Sequence, residues 1–353
     1  MLLSVALIVP APVWDHAGYD AEDSYFNPHE TTLTVTSPHT LWTVPLRTYE
    51  GCGGFGPPVI AGNRVVVPDQ RGFSAYTTLG RAAWHFDWPD PMGTDATVVA
   101  IAGNTVIASG GDCFSQSDPN GHLVAVDLTT GKVRWRVDPD TPNYSFQVDK
   151  GVVVVSGESP SDELSATAYS TTTGAQAWNR PGYDSSGVSA AGRLLLTKGN
   201  TTTAVDIRTG KALWTKPSLW LAQAATPAGD RFLVTNGTAM SAVEAATGRV
   251  VWTSPGKAAS LVAADGPRVF RAEPHEVEAL SATTGRHLWT RRVTAEDPTQ
   301  PVRAANLLFT GGPVLNPRTG AVIAAKTPLT TSPAIAGGVA YVASKGKLIA
   351  YAP

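Results

Sequence analysis

The sequence predicts an all-β protein, a single eight-bladed β-propeller of four-stranded blades, from two repeated patterns. The first pattern is an aliphatic strand, a Thr-Gly turn and a short strand that ends in tryptophan, as in Ala125–Trp135 and Ala204–Trp214. It recurs at intervals of roughly 35 to 50 residues, which is the length of a propeller blade. The second pattern, upstream of each turn, is a Gly-bearing hairpin between two apolar runs, as in Val59–Val67.

The Thr-Gly pattern predicts the outer hairpin of each blade. The glycine can adopt a positive φ in the tight turn, and the flanking residues alternate between apolar and polar as a half-buried strand requires. The tryptophan is then expected to fill the space between neighbouring sheets, where its indole N–H can reach a backbone acceptor. We predict this structural docking role for Trp42, Trp84, Trp135, Trp178, Trp214, Trp252 and Trp289.

The two chain ends are predicted to close the ring. Eight inner hairpins can be counted but only seven Thr-Gly turns, and the strand around Trp42 has no blade of its own in front of it. Residues 41–46 are therefore expected to pair with Lys347–Tyr351 as the outer strand of the last blade, which leaves only short protected edges. This divides the chain into residues 1–13, a residual signal or anchor segment or an arm; residues 14–40, a leader; and residues 41–353, the propeller.

The repeated motif A-x-D-x-x-T-G-K-x-x-W resembles the tryptophan-docking motif of the PQQ-type (quinoprotein-like) β-propellers. It is matched at every fixed position from Ala125 to Trp135 and from Ala204 to Trp214, and the resemblance covers residues 40–353. The resemblance implies eight blades, and it covers both quinoprotein dehydrogenases and non-catalytic binding or assembly relatives. The stretch Gly18–Leu33 looks like the leader of such propellers in actinobacterial extracytoplasmic proteins.

The dehydrogenases of this family place a disulfide between adjacent cysteines against pyrroloquinoline quinone and hold calcium beside a catalytic aspartate. The two cysteines of this chain are not adjacent, and few residues remain outside the blades to enclose a cofactor. We therefore expect neither the quinone nor calcium, and no catalytic residues. Asp112, Asp118 and Asn120 offer oxygen donors in a glycine-rich loop, but their spacing does not match a calcium-binding EF-hand loop.

The net charge of −2 and pI near 6.4 predict no nucleic-acid partner and give no sign of an anionic membrane surface. A protein or a small polar ligand is the expected partner. The apolar start, Met1–Pro10, is too short to span a bilayer. It favours the tail of an export signal or membrane anchor, with an arm packed against the ring as the alternative.

Cys52 and Cys113 are predicted to form a disulfide. In a four-stranded blade, the loops between blades and the loops between the second and third strands emerge on one face. Cys52 lies in the loop before blade 1 and Cys113 in the second-to-third-strand loop of blade 2, so both are expected on that face of adjacent blades. A disulfide fits an oxidising compartment, and we expect an extracytoplasmic, cell-envelope location.

The same face is elaborated over blades 1–3, where the loops are longest. We expect binding to reside there, because loops on a rigid scaffold commonly carry it. Asp87, Asp95, Asp162 and Glu163 lie in this sector, and the candidate binding residues are Asp69, Arg71, Trp88, Asp90, Asp112, Asp118, Asn120 and Glu158. Trp88 is expected to be a loop side chain whose loss costs little stability.

The sequence thus favours an extracytoplasmic binding or scaffold propeller. The alternatives are a quinone-dependent oxidoreductase and an envelope assembly factor.

Overall fold

A computed structural model describes residues 13–34, 38–115, 117–237, 239–255, 261–293 and 299–352. The secondary structure of these ranges is all β, with no helix long and apolar enough to cross a membrane among them. Eight sheets form a ring, and each contains four strands of a blade. The predicted eight-bladed β-propeller is therefore confirmed.

The strands of each blade run from the inner edge of the ring outwards. Blades 1 to 4 consist of β4 (Val59–Ala61), β5 (Arg64–Asp69), β6 (Gly72–Thr77) and β7 (Ala82–Asp87); β8 (Val98–Ala102), β9 (Thr105–Gly111), β10 (Gly121–Asp127) and β11 (Val133–Val137); β12 (Ser145–Asp149), β13 (Val152–Gly157), β14 (Ser165–Ser170) and β15 (Gln176–Pro181); and β16 (Asp184–Ala190), β17 (Arg193–Lys198), β18 (Thr201–Asp206) and β19 (Ala212–Lys216).

The remaining strands complete the ring. Blades 5 to 8 consist of β20 (Leu221–Ala225), β21 (Arg231–Thr235), β22 (Ala239–Glu244) and β23 (Val250–Pro255); β24 (Leu261–Asp265), β25 (Arg268–Glu273), β26 (Glu276–Ser281) and β27 (His287–Arg292); β28 (Val302–Ala304), β29 (Leu307–Phe309), β30 (Val314–Leu315) and β31 (Val322–Ala324); and β32 (Ala334–Ala336), β33 (Val339–Ser344), β34 (Lys347–Ala352) and β3 (His39–Pro45). Two short leader strands, β1 (Val13–Trp14) and β2 (Phe26–Asn27), add to the inner edges of blades 1 and 7.

The ring closes through the two chain ends, as predicted. β3 pairs antiparallel with β34, and Trp42 lies opposite Ala350 while Pro45 lies opposite Lys347. The outer strand of blade 8 thus comes from the N-terminal part of the chain, so blade 8 has no turn between its third and fourth strands.

The seven repeat tryptophans occupy the interfaces between consecutive blades. Each indole Nε1 donates a hydrogen bond of 2.8 to 3.1 Å to a backbone carbonyl in the Thr-Gly turn region of the next blade. The acceptors are the carbonyls of Thr78, Leu128, Thr171, Ile207, Ala245, Ala282 and Pro317. Each ring also covers the glycine of that turn, so one side chain joins two blades.

The interface between blades 7 and 8 lacks both partners of this contact. Ala324 stands where the tryptophan would be, and blade 8 has no Thr-Gly turn to receive one. The leader bridges the seam instead: Asn27 Nδ2 donates to the Ile335 carbonyl at 2.7 Å, and the Glu30 carboxylate accepts from the Gly338 N–H at 2.7 Å. A hydrophobic cluster of blades 7, 8 and 1 includes Trp14 and other leader residues.

Candidate functional site

The two faces of the ring differ in the connections that they carry. We call the face with the inter-blade loops and the second-to-third-strand loops the loop face. The opposite face, which carries the inner-hairpin turns and the Thr-Gly turns, is the turn face. The longest loops of blades 1–3 all belong to the loop face.

Cys52 and Cys113 form a disulfide on the loop face, with their Cα atoms 6.4 Å apart. The predicted pairing is therefore confirmed. The loop between blades 1 and 2 lies across it, because the Cys52 N–H donates to the Met92 carbonyl at 3.3 Å and the Cys113 N–H donates to the Gly93 carbonyl at 2.9 Å. Three loops are thus joined covalently and by backbone hydrogen bonds.

The elaborated loops of blades 2 and 3 are in contact. Ser161 Oγ donates a 2.6 Å hydrogen bond to the Asp118 carboxylate and also reaches the Ser117 carbonyl at 3.1 Å. The loop of blade 3 is therefore tied to the loop that carries Cys113, and the sector predicted over blades 1–3 is continuous.

Exposed aromatic side chains lie on this sector. Among the residues that the structure describes, the Phe, Trp and Tyr side chains that are at least 36% exposed are Tyr49 (36%), Phe55 (37%), Phe114 (65%) and Tyr144 (70%). Met92, 47% exposed, lies between the two cysteine loops. Large exposed apolar side chains on one sector favour an interaction surface there, and sequence reasoning missed them because loop residues follow no strand period that would report which way they face.

The same loops are strongly acidic. The loop-face connections of blades 1–3 (residues 46–58, 70–71, 88–97, 112–120, 138–144 and 158–164) contain ten acidic residues and two arginines, a net charge of −8 in a chain whose total is −2. Exposed apolar side chains among acidic loops favour a basic partner with apolar anchors.

One of the predicted binding residues is instead part of a buried ionic network, and the prediction needs correction. Asp69 is 1% exposed and accepts hydrogen bonds from Arg47, Ser74 and the Arg71 N–H. These internal donors satisfy the Asp69 carboxylate, which is buried and therefore not accessible to a ligand.

Asp87 joins this network by pairing with both Arg47 and Arg71. Burial opposes ionisation of Asp87, but the two guanidinium groups hold its pKa below the usual range. Arg71 also lies over the Tyr49 ring, 5.3 Å from its centroid, and thereby supports an exposed aromatic residue.

Trp88 also departs from the prediction of an exposed loop side chain. It is 2% exposed, its Nε1 donates to Thr97 Oγ1 at 2.9 Å, and its ring packs edge-on against Phe86 with centroids 5.2 Å apart. It anchors the loop between blades 1 and 2 from within and offers no surface for binding.

The calcium candidates have other partners. Asp112 accepts from His122 Nε2 at 2.9 Å and from the Asn120 N–H at 3.1 Å, whereas Asp118 accepts from Ser161. Across the described ranges, no three His, Cys, Asp or Glu side chains converge as metal ligands. Asp90 and Glu158 are exposed on the loop face.

The His122 ring lies between two carboxylates. Its Nε2 is 2.9 Å from Asp112, and its Nδ1 is 2.9 Å from Asp138. Burial opposes ionisation of Asp138, but His122 and Arg136 hold its pKa below the usual range.

The leader fills one end of the central channel, which sequence analysis did not anticipate. It pairs with β4 of blade 1 and then contacts the inner strands of all the other blades in turn. The N–H groups of Ile101, Ser189, Ala225, Ala264 and Arg303 donate to leader carbonyls at 2.7 to 2.9 Å. Most of these contacts lie towards the ends of inner strands that lead to the turn face, so the leader occupies that end of the channel.

The leader brings ionisable groups into the channel. His16 donates from Nδ1 to Asp15 and from Nε2 to the Val148 carbonyl, both at 2.7 Å. Burial disfavours the imidazolium, but these acceptors outweigh it and raise the pKa of His16 to about 9. Burial, together with the neighbouring carboxylates, raises the pKa of Asp20 to about 6 and those of Glu22 and Asp23 to about 7.

Two cavities remain at the loop-face end of the channel, with the leader as their floor. One, of about 210 Å³, is lined by His16, Asp23, Tyr25, Tyr144 and Phe146 among others. The other, of about 270 Å³, lies beside Phe55. Asp23 is the one carboxylate among these two linings, and the disulfide joins cysteines 61 positions apart in the chain.

Comparisons with known proteins agree with this architecture. A family model described as "Outer membrane protein assembly factor BamB" matches residues 36–135, 80–218 and 198–315. A search of curated proteins returns no match.

Solved structures share the fold at low sequence identity. Quinohemoprotein alcohol dehydrogenase ADHIIG from Pseudomonas putida superposes with a TM-score of 0.70 at 12% identity, covering 96% of this chain and 80% of that one. BamB from Moraxella catarrhalis gives 0.64 at 17% identity, covering 90% and 100%. The computationally designed Ika8 protein gives 0.63 at 13% identity, covering 89% and 99%. These likenesses show the fold alone. The family match extends over most of the chain, and the chain therefore belongs to the family of PQQ-type β-propellers described as outer membrane protein assembly factor BamB.

Proposed function

We propose that this protein is an extracytoplasmic scaffold propeller that binds a protein partner through its loop face over blades 1–3. The observation that carries the proposal is that Tyr49, Phe55, Met92, Phe114 and Tyr144 are all exposed in loop-face connections of blades 1–3, the sector that the disulfide joins. Aromatic residues and methionine are enriched at protein interfaces, and a few such anchors supply most of the binding energy.

The supporting loops are held in place before any partner arrives. The disulfide, the backbone bonds at Met92 and Gly93 and the contact between Ser161 and Asp118 join the loops of three blades. Pre-organisation lowers the conformational entropy that binding would otherwise cost. The acidic field of the same loops favours a partner segment with Lys or Arg around its apolar anchors.

Two further observations support the proposed compartment and the proposed kind of partner. A disulfide that closes a long loop is typical of an oxidising compartment, which supports an extracytoplasmic location. The family description favours assembly of envelope proteins as the form that scaffolding takes here.

Site-specific photo-crosslinking in the producing cells tests the proposal. A photoreactive residue in place of Phe114 or Tyr144 is expected to give discrete protein adducts. Leu79, which is 73% exposed but lies in a turn-face connection, is the matched apolar control and is expected to give none of them.

Alanine variants complete the test. Phe114→Ala with Tyr144→Ala should remove the partner from the purified complex while the thermal unfolding midpoint stays unchanged, because both side chains are exposed. Adducts that form equally well from Leu79, or a complex that survives the double substitution, would refute the proposal.

A further inference from the structure

The connections of the turn face carry eight of the 27 Lys and Arg residues of the chain and almost no acidic residues. They contain eight Lys or Arg residues and one acidic residue, Asp230, which gives a net charge of +7. All eight basic side chains are exposed, and they are spread around the ring; Arg81, Lys132, Lys211 and Arg286 belong to blades 1, 2, 4 and 6.

Acidic residues next to these turns do not cancel this charge. The strand residues that flank the connections add five carboxylates and four arginines, so the ring of turns keeps a net charge of +6. The leader inside this ring carries five carboxylates and no Lys or Arg, and Glu22 and Glu30 accept hydrogen bonds from turn-face connections, so the positive charge of this face is confined to the ring of turns. Several of these carboxylates also serve their own turns: Asp127 accepts from the Thr129 and Thr130 N–H groups, and Asp206 accepts from the Thr209 N–H. Glu244 pairs with Arg249 at 3.2 Å, and all eight basic side chains of the connections are exposed.

The leader enters the ring from this face. β1 runs antiparallel to β4, and Val13 lies opposite Ala61, the last residue of β4 before the turn. Val13 therefore lies at the turn-face end of β1. The sequence Met1–Pro10, which lies outside the described residues, is almost entirely apolar.

We infer that the turn face is a membrane-docking surface that lies against an anionic lipid bilayer, with the loop face turned away from it. Each Lys or Arg near an anionic bilayer adds to the attraction, which decays within a Debye length. A ring of such residues presents its charges together to a surface, and the apolar sequence Met1–Pro10 is joined to the chain near Val13, which lies at this face. Nucleic acid would be attracted by the charge but would gain nothing from that apolar segment.

The inference goes beyond the proposed function, because it rests on different residues and a different face. It also sets the orientation that a loop-face scaffold needs, with the acidic, aromatic surface directed towards soluble or protruding partners. The membrane measurement below contains no protein partner, so either proposal can fail while the other stands.

Vesicle sedimentation of the full chain tests the inference. Vesicles of phosphatidylcholine alone and vesicles that also contain phosphatidylglycerol are compared at low and at high salt. We expect the protein to sediment with the anionic vesicles and to be released by salt. The turn-face variant Lys132→Glu, Lys211→Glu, Arg286→Glu should lower its partition coefficient at low salt on the order of a hundredfold.

A matched triple variant on the loop face is the control. Lys326→Glu, Lys345→Glu, Lys347→Glu changes the net charge by the same amount at exposed positions of the opposite face, and it should bind anionic vesicles like the unmodified protein. The neutral triple Lys132→Gln, Lys211→Gln, Arg286→Gln repeats the turn-face test without charge reversal.

Three results would overturn the inference: an equal loss in both triples, sedimentation that does not depend on anionic lipid, or no sedimentation at all. Binding to duplex DNA without binding to anionic vesicles would assign the turn face to nucleic acid instead, and would equally overturn it.

Discussion

Gly131 has two separate reasons to be glycine. Its φ is +70°, and a Cβ atom added there would lie 2.7 Å from Cδ2 and Cγ of the Trp84 indole. The first reason is conformational and holds at any tight turn, whereas the second arises because the tryptophan of the preceding blade lies directly on the turn. At the seam between blades 7 and 8, both the tryptophan and the turn that would receive it are missing.

Comparison of two glycine substitutions separates these reasons. Gly62 has a φ of +60° with no atom within 4 Å of the added Cβ. Gly62→Ala should cost about 1 to 2 kcal/mol from the left-handed backbone alone. Gly131→Ala should cost about 1 to 3 kcal/mol more, because the indole must move. Urea unfolding of both variants measures the difference in their free energies of unfolding. Equal losses of stability would mean that the Trp84 ring moves away from the added Cβ without destabilising the protein.

Trp88 shows that local sequence patterns do not predict the direction of a side chain in a loop. The repeat tryptophans were assigned correctly to blade interfaces because their position in a periodic strand fixes the direction of the side chain. Trp88 follows β7 in a loop that contains two prolines, where no period applies, and only the folded loop shows that the ring turns inwards to Thr97.

The burial of Trp88 changes the expected effect of its removal. Trp88→Ala should destabilise the protein by about 3 to 5 kcal/mol, as much as Trp135→Ala, because both substitutions leave a large cavity. Thermal or urea unfolding of the two variants measures this. A loss below about 1 kcal/mol for Trp88→Ala would show that the loop collapses to fill the space.

The leader is the element that the sequence least revealed. It has no repeat and no strand period, and its role depends on contacts with the inner strands of blades that lie far apart in the chain. Its backbone is also unusual, because Tyr19, Asp23 and Tyr25 all have φ between +46° and +84°. Non-glycine residues adopt this region only when the surroundings impose it.

The leader around Asp20, Glu22 and Asp23 should be held more firmly near pH 5 than near pH 9. Asp20, Glu22 and Asp23 have pKa values of about 6 to 7 in the folded protein, above their ordinary values near 4, so their contribution to stability is present at low pH and is lost as the pH rises through about 7. His16, raised from 6.5 to about 9, acts in the same direction up to that pH. Above these values the leader carboxylates repel one another and Asp149 of blade 3.

Hydrogen exchange of residues 15–30, corrected for the intrinsic rate, measures this effect between pH 5 and pH 9. Protection should fall as the pH rises. Asp23→Asn should flatten the dependence, since asparagine tolerates the left-handed backbone at this position and carries no charge. Asp90→Asn on the exposed loop face is the control. Protection that is independent of pH would show that these groups do not hold the leader.

At the scale of the molecule, the net charge of the whole chain does not reveal how charge is distributed between the two faces. A net charge of −2 gave no sign of an anionic membrane surface, yet the loops of blades 1–3 sum to −8 and the turn-face connections to +7. The sum conceals the separation because the two sets alternate along the chain. Topology assigns them to opposite faces, and the same assignment allowed the Cys52–Cys113 pairing to be predicted. Ring closure could also be predicted, because the sequence shows eight inner hairpins but only seven Thr-Gly turns. Counting these local patterns requires no knowledge of contacts between distant residues.

The seam between blades 7 and 8 should govern the stability of the whole ring, because it lacks the Trp–Gly contact of the other seven interfaces. Glu30 holds it: its carboxylate accepts from the N–H groups of Thr32, Leu33 and Gly338, while its own carbonyl accepts from the Ala305 N–H. Burial opposes ionisation of Glu30, but these donors lower the pKa of its carboxyl group. Its contribution to the stability of the protein is therefore present above its ordinary pKa and lost in acid.

Glu30→Ala should therefore destabilise the protein by about 3 kcal/mol at neutral pH. Tryptophan fluorescence and far-ultraviolet circular dichroism should report a single shared transition at the lower midpoint, since an opened ring exposes strand edges in both flanking blades. Glu158→Ala, on the exposed loop face, should leave the midpoint unchanged. Equal midpoints for the two variants would show that the ring stays closed without the Glu30 carboxylate.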